Sequence, residues 1–336
     1  LPGTIHETAA AIDRLAGHGI AVSCDHGDDE QVRALFERVA REQDGRLDIL
    51  VNNACAIPDE LVQPGAFWEK PLSLLSLLNV GMRSNYVASY YAAPLMVARR
   101  CGLIVHTSSF GGTCYMHGPA YGAGKAAVDK MAHDMGVELR PHNVAVVSIW
   151  MGLLKTERTD VALSDPELAR HYEHLLETME SPQLTGLVID ALARDAHLMD
   201  RSGRIWIGAE LAQQYGIHDV DGRQPPSHRP MLGDPTVFSA AVIAFSDTSS
   251  ISSESSRMRS MMSSSRDRLA IASSTPPMNA RSVLAALSKN LVESSMNSRE
   301  RREAASEETP PRCSSRMRLI VRSASLALAS TPALIA

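Results

Sequence analysis

"GLIVHTSSFGGTCYMHGPAYGAGK", residues 102–125, runs from an apolar stretch through a glycine-bearing loop to Tyr121 and Lys125. The opening "GLIVHTSS" is short, apolar and partly β-branched, which predicts a buried strand. From about Tyr121 to Leu139 the spacing predicts a helix. Working outward, the same alternation repeats on both sides. Thr4 and Glu7 fit a capping box for a helix carrying Ile5, Ala9, Ile12 and Ala16 on one face. "IAVSCD" (20–25) reads as a strand. A helix follows, capped by Asp28 or Asp29 and stopped by Gly45, with Val32, Leu35, Phe36 and Val39 on its inner face. Then come a strand "LDILVNNA" (47–54), a helix through "SNYVASYYAAPLMVARR" (84–100), and beyond the quoted stretch a strand "NVAVVSIW" (143–150). Helical stretches between Pro166 and Glu180 and around "TGLVIDALARD" (185–195) lead to a last strand, "GRIWIGAEL" (203–211). Continuous apolar strands separated by amphipathic helices predict an α/β fold with a doubly wound parallel sheet. Ligands in such folds bind at the carboxyl ends of strands. Asp25, Asn52, Asn53, Ser108 and Ser109 all fall there.

The quoted stretch also carries chemistry. Residues four apart on a helix share a face, with Cβ atoms roughly 5–6 Å apart. A free phenol titrates near about 10 and moves protons poorly at neutral pH. A neighbouring ammonium and a helix N-terminus favour its ionised form. Tyr121 beside Lys125 therefore suits a general acid toward a carbonyl, or a base toward an alcohol. A hydroxyl such as that of Ser109 can hold the same oxygen. The hydride must come from elsewhere, which calls for a nicotinamide cofactor. A lone Y-x-x-x-K also arises by accident, with the tyrosine packed and the lysine solvated. Gly122 and Gly124 weaken a helix start and argue for close approach by a ligand.

The chain has 336 residues, 44% hydrophobic and 21% charged, with net charge −5. That balance gives no general attraction to nucleic acid or anionic membrane. Five cysteines without metal-ligand spacing suit a reducing cytoplasm, and no apolar run is long enough to cross a bilayer. A domain is expected over 1–235. From 236 to 336 the sequence lacks glycine, histidine, glutamine, tyrosine and tryptophan and is dominated by serine. That segment is expected to be disordered low-complexity sequence or an out-of-frame translation.

Four motifs in order, "CDHGD", "LDILVNNA", "LIVHTSS" with "YGAGK", and "VSIWMGLLKT", resemble the short-chain dehydrogenase/reductase family over roughly residues 4–235. The resemblance implies a Rossmann-like fold, NAD or NADP as cofactor, and interconversion of a carbonyl and an alcohol on a small molecule. It implies Tyr121 as acid/base, Lys125 on the nicotinamide ribose, and Ser109 on the substrate carbonyl. Ser108 competes with Ser109. Counting back from Tyr121 by the family's commoner loop length reaches Ser108, whereas counting along the strand reaches Ser109, which we prefer. Asp25, Asn52 and Ala54 would meet the adenosine half, and Gly152 and Thr156 the nicotinamide half. Relatives associate through the two long helices beside the site, so a homodimer or tetramer is implied.

Departures from the family pattern are visible. Cys55 stands where the N-N-A-G turn has glycine, Met151 replaces the proline of a Pro-Gly pair, and Asn79 does not align cleanly with the family's helix asparagine. The family's glycine-rich turn, which holds the pyrophosphate at a helix N-terminus, is not found in this sequence. The sheet is therefore expected to be incomplete at its N-terminal side, and the chain as written is not expected to bind the dinucleotide. A non-catalytic remnant or interaction protein is the alternative function.

Overall fold

The computed structural model describes residues 3–164, 166, 169–170 and 173–239. Helix α1 (Ile5–Arg14) starts at Thr4, whose hydroxyl accepts the Glu7 amide, and α2 (Asp29–Glu42) starts at Asp28, whose carboxylate accepts the Glu30 and Gln31 amides. These caps satisfy amides that have no partner within the helix. Strand β1 (Ile49–Asn52) leads to α3 (Ser84–Arg99), then β2 (Gly102–Ser108), α4 (Pro119–Leu139) and β3 (Val144–Trp150). Next come α5 (Glu157–Leu163), α6 (Pro182–Arg194), β4 (Arg204–Ile207) and α7 (Gly208–Tyr215). The four strands form one parallel sheet in the order β1-β2-β3-β4.

Strand alternation divides the apolar residues between two faces. Leu50, Ile104, Val144 and Val146 pack with Val32 and Phe36 of α2, Ala88, Ala92 and Met96 of α3 and Ala132 of α4. Ile49, Val51, Leu103, Val105, Val147 and Ile149 pack on the other face with Leu184, Val188 and Leu192 of α6 and Leu211 of α7. Helices thus cover both faces, the doubly wound arrangement expected. Each fully buried Val, Leu or Ile in these layers stabilises the fold by roughly 1.5–3 kcal/mol relative to exposure.

Two expectations change. Residues 20–25 form no strand. A strand exists through its ladder, and among the described residues β1 pairs only with β2. The segment instead ends with the Asp25 amide donating to Gln31 Oε1 at 2.9 Å. The last strand stops at Ile207 and gives way to α7. Between Pro166 and Glu180 the described residues are helical as expected, at Pro166, Ala169 and Arg170 and in a 3-10 turn at Glu173–Thr178. Residues 236–239 continue along α4, with the Phe238 ring 5.4 Å from that of His133. The remainder of the 236–336 segment lies outside the described residues.

Candidate active site

β2 and α4 bring three side chains together. Ser109 ends the run from β2 in an extended conformation, and its hydroxyl accepts the Gly111 amide at 3.3 Å. Its Oγ is also 2.8 Å from the Tyr121 hydroxyl. Tyr121 sits in the first turn of α4, which Pro119 opens, and one turn later Lys125 Nζ lies 5.6 Å from the centre of the Tyr121 ring. The Lys125 ammonium donates to the Thr107 carbonyl at 3.3 Å. The adjacent Ser108 is fully buried and turns away, donating to the Lys125 carbonyl at 3.4 Å. Both serines reach α4, and Ser109 is the one that meets the phenol.

Burial pushes the Tyr121 phenol above its ordinary value; the Lys125 charge and the Ser109 hydrogen bond pull it down by less. The net rise reverses the expectation of a lowered phenol, because a pocket of Leu61, Leu74 and Leu77 encloses the ring. For Lys125, burial disfavours the ammonium, but attraction to Tyr121, Cys55 and Asp129 prevails and raises its pKa. A Cβ on Gly122 would lie 3.1 Å from the Gly111 carbonyl oxygen, and one on Gly124 3.4 Å from Leu78. These glycines admit the protein's own neighbouring segments.

Asn52 is buried at the end of β1, where its amide donates to Ser89 Oγ at 3.0 Å and lies 3.3 Å from His106 Nδ1. Ala54 is half-buried in the loop that follows. Thr107 ties this loop to the centre, donating to Asn53 Oδ1 at 2.9 Å while its carbonyl holds Lys125. Asp25 Oδ1 accepts the Gly27 amide at 2.8 Å. Gly152 donates its amide to Glu180 Oε2 at 3.1 Å. Thr156 is buried, and its hydroxyl accepts the Thr159 amide at 3.3 Å. Asn79 lies near Gly27, not beside Tyr121: its Nδ2 would be 3.3 Å from a Cβ on Gly27. The kink that follows it places Gly81 at φ 138° against Cys55.

Sequence reading missed three buried groups. Asp129 continues the Tyr121–Lys125 face of α4 by one more turn, and its carboxylate accepts Ser148 Oγ at 2.6 Å and the Trp150 indole at 2.9 Å. Burial raises it to about 6 against those hydrogen bonds, a further one from Ser108 and the Lys125 charge. The signal was an acid one turn beyond Lys125 on the face that carries Tyr121. His117, at φ 55°, stacks edge-on to Tyr121 at 5.2 Å, and burial first, then the Lys70 charge, lowers it to about 4. Glu180 is 1% exposed, and burial raises its carboxyl to about 7.

The model for short chain dehydrogenases matches residues 2–167. Human dehydrogenase/reductase SDR family member 1 is 42% identical over 229 residues, covering 66% of this chain and 73% of that protein. The chain belongs to the short-chain dehydrogenase/reductase family. Among solved structures, a short-chain type dehydrogenase/reductase from Mycobacterium marinum is similar at TM-score 0.50 and 26% identity, covering 60% of this chain and 79% of the other. ElxO with NADP bound is similar at TM-score 0.51 and 22% identity, over 62% of this chain and 86% of that one. The latter likeness concerns the fold alone. Membership in this family makes the chain an oxidoreductase by descent. Among the described residues, no helix is long and apolar enough to cross a membrane.

Proposed function

We propose that this short-chain dehydrogenase/reductase interconverts a carbonyl and an alcohol on a small molecule, with NAD or NADP as the hydride carrier. The observation that carries the reading is the 2.8 Å contact between Ser109 Oγ and the Tyr121 hydroxyl, with Lys125 one turn along the same helix. Tyr121 is then the proton donor to the carbonyl oxygen, and Ser109 hydrogen-bonds that oxygen as its charge develops. Lys125 holds its positive charge beside the phenol and makes the phenolate left by proton transfer less costly.

The donor chemistry fits one half of a nicotinamide dinucleotide. Lys125 spends a single N–H on Thr107, so its other protons suit ribose hydroxyls. Gly152 and Thr156 would flank the nicotinamide, and Asp25, Asn52 and Ala54 the adenosine. When bound, the cofactor supplies the hydride. For the pyrophosphate, the described residues present no glycine-rich turn opening a helix. A second reading is a non-catalytic member that keeps the fold and the three side chains. Exposed Tyr86 and Tyr90 on α3 support association of copies through that helix.

Calorimetric titration of the protein with NADH and with NADPH separates the two readings. Micromolar binding, with carbonyl reduction that Tyr121→Phe slows by at least the roughly 10²–10⁴-fold of general acid catalysis, supports the enzyme. Absence of binding by a folded preparation supports the non-catalytic member.

A further inference from the structure

The segment that leaves β3, Met151 to Thr156, is held by one buried residue from a distant part of the chain. Glu180 pairs with Leu154 as an isolated parallel bridge, its amide donating to the Leu153 carbonyl at 2.8 Å and its carbonyl accepting the Lys155 amide at 2.9 Å. Its side chain returns to the same segment, where Oε2 accepts the Gly152 amide at 3.1 Å. The other oxygen, Oε1, is buried without a hydrogen-bond partner. A Cβ on Gly152 would lie 2.4 Å from that oxygen and 3.1 Å from His228 Nδ1. A side chain there would have to displace the carboxyl behind it.

We propose that Glu180 is the positioning residue of this segment: its neutral carboxyl clamps residues 152–155 against the protein, and ionisation of the carboxyl loosens them. An ionised carboxylate needs its lone pairs satisfied, and Oε1 has nothing to accept from. A proton on that oxygen removes the charge. Burial favours the neutral form by more than the Gly152 hydrogen bond favours the charged one. His228 faces the carboxyl across Gly152, but its ring is held toward the neutral form by burial, and its Nε2 is 3.1 Å from Thr178 Oγ1. Asp219, which accepts the Ser181 amide at 2.6 Å, adds a like charge. The Arg223 guanidinium is engaged by Asp221 and by the Glu177 and Met179 carbonyls. Lys155 is exposed, as is Glu177. None of these cations contacts Glu180 Oε1 among the described residues.

The folded-state value, about 7, lies above the ordinary 4.5. The clamp is therefore complete below the ordinary value and weakens as pH rises toward the folded-state value. Its bearing on catalysis rests on the reading above; the clamp itself does not. Amide exchange of the 152–155 backbone, corrected for intrinsic rates, tests it in the protein without cofactor. Protection should fall roughly tenfold per pH unit between about pH 5 and 7 and then level off. Glu180→Gln, which retains an acceptor for Gly152, should abolish that dependence. Parallel pH profiles in the two proteins would overturn the proposal. If the variant fails to fold, carboxyl-carbon NMR of the parent decides. A Glu180 midpoint near neutrality supports the clamp, and one in the ordinary glutamate range overturns it.

Discussion

Ser109 and Tyr121 face each other hydroxyl to hydroxyl at 2.8 Å, while Ser108, one residue earlier, bonds the Lys125 carbonyl one turn along the same helix. The Ser109 contact is one of the two influences that lower the buried phenol. Ser109→Ala should therefore raise the Tyr121 ionisation midpoint, and Ser108→Ala should leave it in place. Ultraviolet difference titration of the two variants against the parent checks this. A larger shift from Ser108→Ala would reassign the serine.

Lys125 exerts the stronger of those two lowering influences. Lys125→Met keeps the length of the side chain and removes the charge, so the same titration should show the phenol ionising at still higher pH. An unchanged midpoint would mean that the ammonium does not act on the phenol across the 5.6 Å to its ring centre.

Gly111 has no room for a side chain, since a Cβ there would lie 2.5 Å from Tyr121 Cε1 and 2.9 Å from Cδ1. Gly111→Ala should displace the ring and break the Ser109 contact, destabilising the fold by about 1–3 kcal/mol as overpacking does. Urea denaturation together with the tyrosine titration measures both effects. Retention of the parent's stability and midpoint would show that the loop moves freely.

Asp129 holds Ser148 and the Trp150 indole from one carboxyl. Asp129→Ala strands both buried donors and should cost on the order of 1–3 kcal/mol for each group left unsatisfied. The pH dependence has a definite sign. Because the folded value, about 6, exceeds the ordinary 3.8, stability from this group is complete below the ordinary value and is lost as pH rises through about 6. The stability gap between the parent and Asp129→Asn should thus narrow from acid to neutral pH in chemical denaturation. A gap that widens would place Asp129 among groups stabilised in their charged form.

Much of this was legible because local patterns report on burial. Strands β1, β2 and β3 announced themselves as apolar runs, and every residue in them is buried. Tyr121 and Lys125 were readable as neighbours because helical spacing fixes which residues share a face. Residues 20–25 misled for the same reason: their composition suits a strand, but a ladder depends on a second segment that composition does not mention. Glu180 was invisible because its meaning lies in Gly152 and His228, neither of which is its sequence neighbour. The sign of the Tyr121 shift was out of reach too, since Leu61, Leu74 and Leu77 enclose the ring from helical turns too short to show a period.

The all-parallel ladder has a kinetic consequence. Ile49 pairs with Leu103, Leu103 with Ala145, and Val147 with Arg204, so each rung joins segments separated by a whole crossover. Contacts of that kind reward the chain only after long loops have closed, which slows folding. Tyr121 and Lys125 leave the ribosome as neighbours, yet the bed beneath them needs Ser148 and Trp150 of β3. The clamp on residues 152–155 must wait for Glu180, synthesised later still. During synthesis the proton-transfer pair is therefore present as sequence well before it is present as a site, and competence arrives with the last crossovers.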